Sequence, residues 1–171
     1  MPRIVLVLLF SLAGVLLSPS GSAEAPPSFT DISFEVPVLA EGVLVVPFGL
    51  REDPFTNRPS WHGGIDINAA WDAPIRAPAT GKVVHAGQKS GYGQMIDLKV
   101  SDNWVLRFAH LSALSVELGD EIAAGDVLGQ IGSTGRATGP HLHLEALHGD
   151  KQYDPVLFTE LELYETELAR D

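Results

Sequence analysis

Two histidines in the heptapeptide GPHLHLE constrain this chain more than any other feature. His141 and His143 are two residues apart, so in a β-strand both imidazoles lie on the same face of the sheet. Neutral imidazole is the commonest side-chain metal ligand near neutral pH. Upstream, the segment WHGGIDI supplies His62 and Asp66, and the segment RFAHLS supplies His110. This pattern predicts one metal site on β-strands, with ionisable side chains beside it.

Short apolar segments bracketed by glycines predict an all-β fold. The chain has 171 residues, among them 17 glycines and 12 prolines, and this length suffices for one domain with its own core. Regular short strands between turn signals are typical of a sheet sandwich or a barrel-like domain. The polar, turn-rich segment at residues 52–60 is expected to be a surface loop. The strand candidates are residues 64–68, 81–86, 95–100, 105–109, 127–132 and 141–147.

The N-terminus has the features of an export signal. Arg3 precedes an apolar run at residues 4–17, and this run of about 14 residues is shorter than the roughly 20 that span a membrane. We therefore expect a signal peptide over residues 1–23, with cleavage after the small residues that end at Ala23. An uncleaved N-terminal anchor is the alternative interpretation.

The rest of the chain divides into three segments. Residues 24–32 have little periodicity and are expected to be a tether, and residues 33–158 are expected to be the folded domain. Residues 159–171 are expected to form a short C-terminal helix or tail, because Thr159 and Glu162 have the spacing of a capping box.

Charge and composition exclude several kinds of partner. The formal net charge of −11 disfavours binding to nucleic acid and to anionic membrane surfaces. The absence of cysteine excludes disulfides, thiolate nucleophiles and cysteine-ligated zinc. Together with the export signal, these features indicate a compact domain in the periplasm or outside the cell of a bacterium. After signal cleavage, no membrane attachment is expected.

Three side chains form a plausible ligand set for a catalytic zinc ion. Such a zinc typically has three protein ligands and leaves its fourth position for water, and His62, Asp66 and His143 suit that arrangement. Zinc lowers the pKa of bound water to about 7. The chain has no HExxH motif, so another group in reach of the water must handle protons. His110 and His141 are the candidates.

Three other ionisable side chains, Glu145, His85 and His148, lie in or near these motifs. Glu145 follows His143 by two residues, so it faces the same side and is either a partner for an imidazole of the site or a plain strand glutamate. His85 and His148 lie outside any ligand-spaced motif. Both are expected on the surface.

The motifs together resemble a known family, the lysostaphin-type zinc metalloendopeptidases of bacterial cell walls, which have the duplicated hybrid motif. The resemblance covers residues 46–158. It implies a small antiparallel β domain around a narrow central groove, with one Zn²⁺ per chain. The zinc ligands would be His62, Asp66 and His143, and the catalytic histidines His110 and His141. The matching segments are, in order, HGGIDI, GYGQMIDL, RFAHLS, ELGDEIAAGDVLGQIGSTGRATGPHLHLE and YDPVLF.

The resemblance also implies a substrate class, the peptide cross-links or stem peptides of peptidoglycan. The segment PFGLR resembles the family's opening turn, so Arg51 either helps to shape the groove or is a surface arginine. Which peptide bond is cut, and which of the two catalytic histidines acts as base, are left open by the sequence.

Three alternative functions are compatible with parts of the sequence. A non-catalytic wall-binding or hydrolase-activating module would keep the fold, but relatives of that kind have lost ligands and this chain has all five positions. A lipoyl- or biotinyl-type carrier is suggested by APATGKVVHAG and VELGDEIAAGDVLGQIG, with Lys99 between them, but the usual Met-Lys context is missing. An exported protease acting on foreign proteins is the weakest of the three.

Overall fold

The computed structural model describes residues 45–158. The expected signal peptide, tether and C-terminal helix or tail, with residues 33–44 of the expected domain, lie outside the described residues. Residues 45–158 form thirteen β-strands and end in a short 3-10 helix, Pro155–Phe158. No helix in this part of the chain is long and apolar enough to cross a membrane. The strands are β1 (Val45–Val46), β2 (Gly49–Glu52), β3 (Pro59–His62), β4 (Ile65–Asn68), β5 (Pro74–Arg76), β6 (Gly81–Lys89), β7 (Gly93–Lys99), β8 (Trp104–Leu111), β9 (Ala113–Leu114), β10 (Glu121–Ile122), β11 (Val127–Gln130), β12 (His141–His148) and β13 (Lys151–Tyr153).

The strands form a main sheet, a small sheet and a hairpin. The main sheet has the order β1-β4-β12-β8-β7-β6-β10, with β13 paired to β12, and the small sheet has the order β5-β11-β9. Strands β2 and β3 form the hairpin. Every strand pair among these is antiparallel, which confirms the predicted all-β antiparallel class.

All six predicted strands are present, with ends that differ by up to three residues. The surface loop expected at residues 52–60 is shorter, because residues 52, 59 and 60 pair within the β2–β3 hairpin. The largest extension is at β6, which continues to Lys89. The β-strand propensity of the local sequence does not predict where such a strand ends, because the end of β6 is determined by its pairing with β7.

The hydrophobic core lies on one face of the main sheet. On β12, Leu142 and Leu144 are buried in the core, and on β4 Ile65 and Ile67 are buried in the same cluster. Burying a side chain of this size contributes on the order of 2 kcal/mol. The small sheet supplies Ile75 and Leu128 to this cluster.

The opposite face of the same strands carries polar side chains, because successive residues of a strand alternate between faces. Buried polar groups need hydrogen-bond partners, so this face must satisfy its side chains by pairing them with one another. The polar residues of this face are Asp66 on β4, His141, His143 and Glu145 on β12, Arg107 on β8 and Asp97 on β7. All of them except Arg107 are buried.

Gly64 allows β4 to approach β12 closely. A Cβ atom on Gly64 would collide with the backbone carbonyl of Leu144 and would lie 3.0 Å from Cγ of Glu145. Because strand β12 is paired on both sides, its backbone has no room to move. Glycine at this position is therefore a steric requirement.

We predict that Gly64→Ala lowers the free energy of unfolding by roughly 1–3 kcal/mol, the usual cost of overpacking. Urea denaturation measures this change. The matched control is Gly139→Ala, since nothing lies within 4 Å of a Cβ atom built there. Equal stability of the two variants would contradict the steric argument.

Candidate metal centre

Three side chains from two separate parts of the sequence converge at one point on the polar face. Asp66 on β4 and His143 on β12 are direct cross-strand partners, and His62 ends β3. His143 Nδ1 lies 2.7 Å and His62 Nε2 lies 3.1 Å from Oδ1 of Asp66. The two ring nitrogens are 3.2 Å apart. All three side chains are buried, and together they are a group that can hold a metal ion.

The outer hydrogen bonds of the two imidazoles fix their tautomers. His62 donates from Nδ1 to the carbonyl oxygen of Pro47 at 2.8 Å, and His143 donates from Nε2 to Oε1 of Glu145 at 3.1 Å. A neutral imidazole carries one ring proton, so the inner nitrogens of both rings present lone pairs to the Asp66 carboxylate. Three electron-rich atoms at this separation repel one another unless a positive centre lies between them. A proton on an inner nitrogen, which gives the hydrogen bonds to Asp66, or a metal cation in its place meets this need, so the donor set fits a metal cation.

The electrostatics of the cluster favour the same conclusion. Burial would raise the pKa of Asp66, but the hydrogen bonds with His143 and His62 hold it well below its usual range, so the carboxylate is ionised. Burial would lower the pKa of His143, yet its bonds to Asp66 and Glu145 raise it. The cluster therefore stabilises positive charge where the ligand atoms meet.

His110 and His141 lie beside the three converging side chains, with their rings 4.9 Å apart between centroids. His141 donates from Nδ1 to the carbonyl oxygen of Gly139 at 2.8 Å, and His110 donates from Nδ1 to the carbonyl oxygen of Thr134 at 2.7 Å. In each neutral ring, Nε2 is then left as a proton acceptor. For His141 this atom is 3.7 Å from Oδ1 of Asp66. The two rings thus use the same ring nitrogen to bond to the backbone.

His110 has an unusual backbone conformation. Its φ angle is +65°, a region that side chains other than glycine rarely adopt. The pairing of β7 with β8 shifts here, because the interval from Phe108 to Leu111 faces the shorter interval from Gln94 to Ile96. This extra residue is a β-bulge, a feature that redirects a side chain. The bulge explains how His110 reaches the site although its neighbour Ala109 is the residue paired with His143.

Burial keeps His110 neutral at physiological pH. Burial lowers its pKa to about 4, against the opposing hydrogen bond with Thr134, and the neighbouring imidazoles of His141 and His143 lower it further. A neutral ring can accept a proton near pH 7. His110 is therefore present in its proton-accepting form.

Glu145 is the centre of a buried hydrogen-bond network. Its side chain is 2% exposed and accepts hydrogen bonds from four side chains. Arg107 bridges it to Asp97, and these three are direct cross-strand partners on β12, β8 and β7. Burial would raise the pKa of Glu145, but its bond to His143 and the charge of Arg107 lower it. The donors are His143 Nε2 at 3.1 Å, Tyr92 Oη at 3.0 Å, Arg107 Nη1 at 3.1 Å and Gln152 Nε2 at 3.3 Å.

The sequence motifs contain Glu145 but do not reveal the side chains that donate hydrogen bonds to it. Arg107 binds Asp97 through two hydrogen bonds, of 2.8 and 3.0 Å, and its guanidinium lies 4.8 Å from the ring centroid of Tyr92. One signal was available. A charged residue at the centre of the otherwise apolar segment WVLRFAHL predicts a buried partner of opposite charge.

An open groove of about 230 Å³ leads to the converging side chains. Arg51 lies in it, and its Nη2 donates to Oδ2 of Asp66 at 3.3 Å. Of the two interpretations of Arg51, the structure therefore places it in the groove. The groove is lined by all five motif residues, His62, Asp66, His110, His141 and His143, and its other lining residues include Arg51, Phe55, Trp61, Tyr92, Arg136 and Thr138.

His85 and His148 are outside this groove, but neither is a simple surface residue. Both are half-buried. His148 packs against Trp104 and Tyr153, with ring centroids 4.8 and 6.2 Å away. His85 Nε2 is buried and has no hydrogen-bond partner within residues 45–158. The expectation of exposed positions was therefore too simple, because strand ends and bulges pack against aromatic and backbone groups.

Comparison with known proteins adds independent information. A family model described as peptidase family M23 matches residues 60–155. The chain is 38% identical over 123 residues to the DD-carboxypeptidase/endopeptidase Mpg of Neisseria meningitidis serogroup B, covering 72% of this chain and 28% of that protein. It is 33% identical over 97 residues to the peptidoglycan DD-endopeptidase ShyC of Vibrio cholerae, covering 57% of this chain and 22% of that protein. The chain thus spans less than a third of these relatives.

Among solved structures, the fold is similar to the catalytic domain of the antimicrobial peptidase lysostaphin from Staphylococcus simulans. The TM-score is 0.63 and the sequence identity is 29%. The similarity covers 68% of this chain and 91% of that domain.

We predict that Glu145→Gln weakens binding of Zn²⁺, used as the probe, by roughly 10- to 100-fold, the usual effect of losing the partner of a ligating histidine. A glutamine would present an amide group to donors that now share a carboxylate. Competition titration with a chromogenic chelator measures the affinity. Glu121→Gln is the control, because Glu121 is exposed and paired with Lys82. Unchanged affinity in Glu145→Gln would show that the network does not support the ligand set.

Proposed function

The chain belongs to peptidase family M23, and from this premise we propose that it is a zinc-dependent endopeptidase that hydrolyses peptide cross-links or stem peptides of bacterial peptidoglycan. Membership in this metallopeptidase family confirms the resemblance recognised in the sequence. One observation carries the proposal. Three potential ligand atoms, from His62, Asp66 and His143, meet in a groove that also holds the imidazoles of His110 and His141.

The substrate class comes from the relatives. Mpg is described as a DD-carboxypeptidase/endopeptidase and ShyC as a peptidoglycan DD-endopeptidase. Since this chain spans only part of each protein, extending their substrate to this chain is part of the proposal. An open groove with an aromatic wall is suited to an extended peptide, and a peptide is what both names imply.

The donor set suits zinc. Two imidazole nitrogens and one carboxylate oxygen, with room for water, make a ligand set typical of catalytic zinc. When bound to His62, Asp66 and His143, zinc would act as a Lewis acid that polarises the scissile carbonyl and lowers the pKa of water.

The residues of the chain handle the protons of the reaction. Hydrolysis joins the oxygen of water to the carbonyl carbon, breaks the carbon–nitrogen bond and transfers a proton to the leaving amine. Nε2 of His110 or His141 accepts the proton of water, and the imidazolium so formed donates that proton to the leaving amine; the other ring can stabilise the oxyanion only when its own Nε2 carries a proton. Because both rings have the same tautomer, either one can take either role.

The placement of all five motif residues in one groove argues against a non-catalytic wall-binding module. We further propose that residues 33–158 form the catalytic domain and that the protein is exported to the periplasm or beyond. The apolar run at residues 4–17 supports export.

We predict that His143→Ala loses zinc and activity together, because it removes a ligand atom. His110→Ala should retain about one zinc per chain while the turnover rate falls by roughly 10²- to 10⁴-fold, the usual effect of losing an acid–base group. Metal analysis and a peptide-cleavage assay on both variants measure these changes. Loss of zinc from His110→Ala would show that the ligand assignment is wrong.

We predict that digestion of purified peptidoglycan releases new amino groups and leaves the glycan strands intact. Glycoside hydrolysis usually requires two facing carboxylates, whereas this groove pairs a metal ligand set with two imidazoles. Mass analysis of the released muropeptides measures both products and identifies the bond cut. The His143→Ala protein is the control. New reducing sugar ends without new amines would refute the proposed function.

A further inference from the structure

We propose that Arg51 binds a free carboxylate of the substrate, so that the groove prefers wall peptides in which the residue after the scissile amide retains its α-carboxylate. This inference rests on the proposed function, since it specifies which peptides the same groove accepts.

The position of Arg51 places a positive charge next to the predicted metal site. Strand β2 pairs Arg51 with Ser60, two residues before His62. Its Nη2 atom donates to Oδ2 of Asp66 at 3.3 Å, while Oδ1 of the same carboxylate faces the two imidazoles. The guanidinium is therefore separated from the ligand atoms by a single carboxylate group. A substrate amide held at this site has its neighbouring substituents within reach of Arg51.

Arg51 has donors that the protein does not use. A guanidinium has five N–H groups in a planar array that fits a carboxylate with two parallel hydrogen bonds. Within residues 45–158, Nε and Nη1 of Arg51 have no hydrogen-bond partner, and the side chain is 31% exposed in the groove. The remaining edge of the guanidinium is thus open to a ligand.

The other arginine of the groove is different, because its charge is already neutralised. Nη2 of Arg136 lies 2.7 Å from both carboxylate oxygens of Asp53, and the guanidinium stacks on Phe55 at 4.7 Å from the ring centroid. Asp66, the partner of Arg51, is shared with two imidazoles and the predicted metal. Arg51 is therefore the groove arginine with both unbalanced charge and unused donors.

Covalent chemistry decides where the carboxylate must be. On the acyl side of a peptide bond, the α-carboxyl group is the scissile carbonyl itself. The nearest free α-carboxylate therefore belongs to the residue that supplies the leaving amine. A terminal residue carries one, and so does a branching diamino acid that has a second carboxylate on the carbon bearing the linked side-chain amine. One contact with Arg51 would thus serve both the trimming of chain ends and the opening of cross-links.

A purely structural role for Arg51 makes a different prediction. If Arg51 only orients Asp66, its loss weakens zinc binding and slows every substrate equally. If Arg51 binds a substrate carboxylate, its loss affects only substrates that have the carboxylate, and mainly through KM.

The test uses two synthetic peptides built around the bond that the wall digest identifies. They are identical except that the residue after the scissile amide ends in a carboxylate or in a carboxamide. The wild-type protein, Arg51→Gln and Arg51→Lys are compared for kcat, KM and zinc affinity. Arg58→Gln is the control, because Arg58 is an exposed arginine of the same hairpin outside the groove.

For the wild-type protein and for Arg58→Gln, kcat/KM should be roughly 10- to 100-fold higher for the carboxylate peptide, as expected for a hydrogen bond between charged groups. Assayed with saturating Zn²⁺, because Arg51 also contacts the proposed ligand Asp66, Arg51→Gln should abolish this preference and Arg51→Lys should restore part of it. Equal cleavage of both peptides by the wild-type protein would overturn the inference while leaving the proposed function intact. So would an equal loss on both peptides in Arg51→Gln. Absence of any cut in the wall digest would instead refute the proposed function.

Discussion

The pairing of Asp66 with His143 across strands β4 and β12 is the constraint on which the rest of the structure depends. These residues are 77 positions apart in sequence, and only the register of the sheet brings them together. A shift of one residue would turn the side chains of β12 to the opposite face. His143 would then enter the core and Leu144 would leave it. The hydrophobic core and the candidate metal site therefore enforce the same register.

The same register aligns a row of charges of which two are buried and one is half-buried. Glu145, Arg107 and Asp97 are opposite one another on three neighbouring strands. A buried carboxylate is costly unless a partner of opposite charge and hydrogen bonds compensate for it. Arg107 bonds to both carboxylates of this row, so the row is compensated within the protein. Asp66 is compensated only partly by Arg51, so the group of His62, Asp66 and His143 can accommodate a further cation.

Much of the site could be predicted because it is encoded in short spacings. The alternation in HLH places His141 and His143 on one face, as the sequence implied, and the spacing of His62 and Asp66 fits a turn between two strands. The network around Glu145 could not be predicted in this way. It requires the order β12-β8-β7, which is a property of the whole sheet and not of a local pattern.

The position of His110 shows a second limit of sequence reasoning. Strict alternation along β8 would place His110 on the face of Leu106 and Phe108, which is the core. The bulge and the φ angle of +65° reverse its direction, and backbone strain of this kind has no signature in hydrophobic periodicity. The motif RFAHLS indicated that His110 is functional, but the physical reason is visible only in the backbone.

The segment GSTG at residues 132–135 determines the spacing of the two proton-accepting imidazoles. The carbonyl oxygen of Gly132 accepts a hydrogen bond from the backbone N–H of His141 at 3.2 Å. Two residues later, Thr134 accepts the ring N–H of His110 at 2.7 Å and donates its backbone N–H to the carbonyl oxygen of His110 at 3.3 Å. A Cβ atom on Gly132 would collide with the backbone of Ser112. One short loop holds both histidines. The distance of 4.9 Å between their ring centroids is therefore fixed by backbone geometry before any substrate binds.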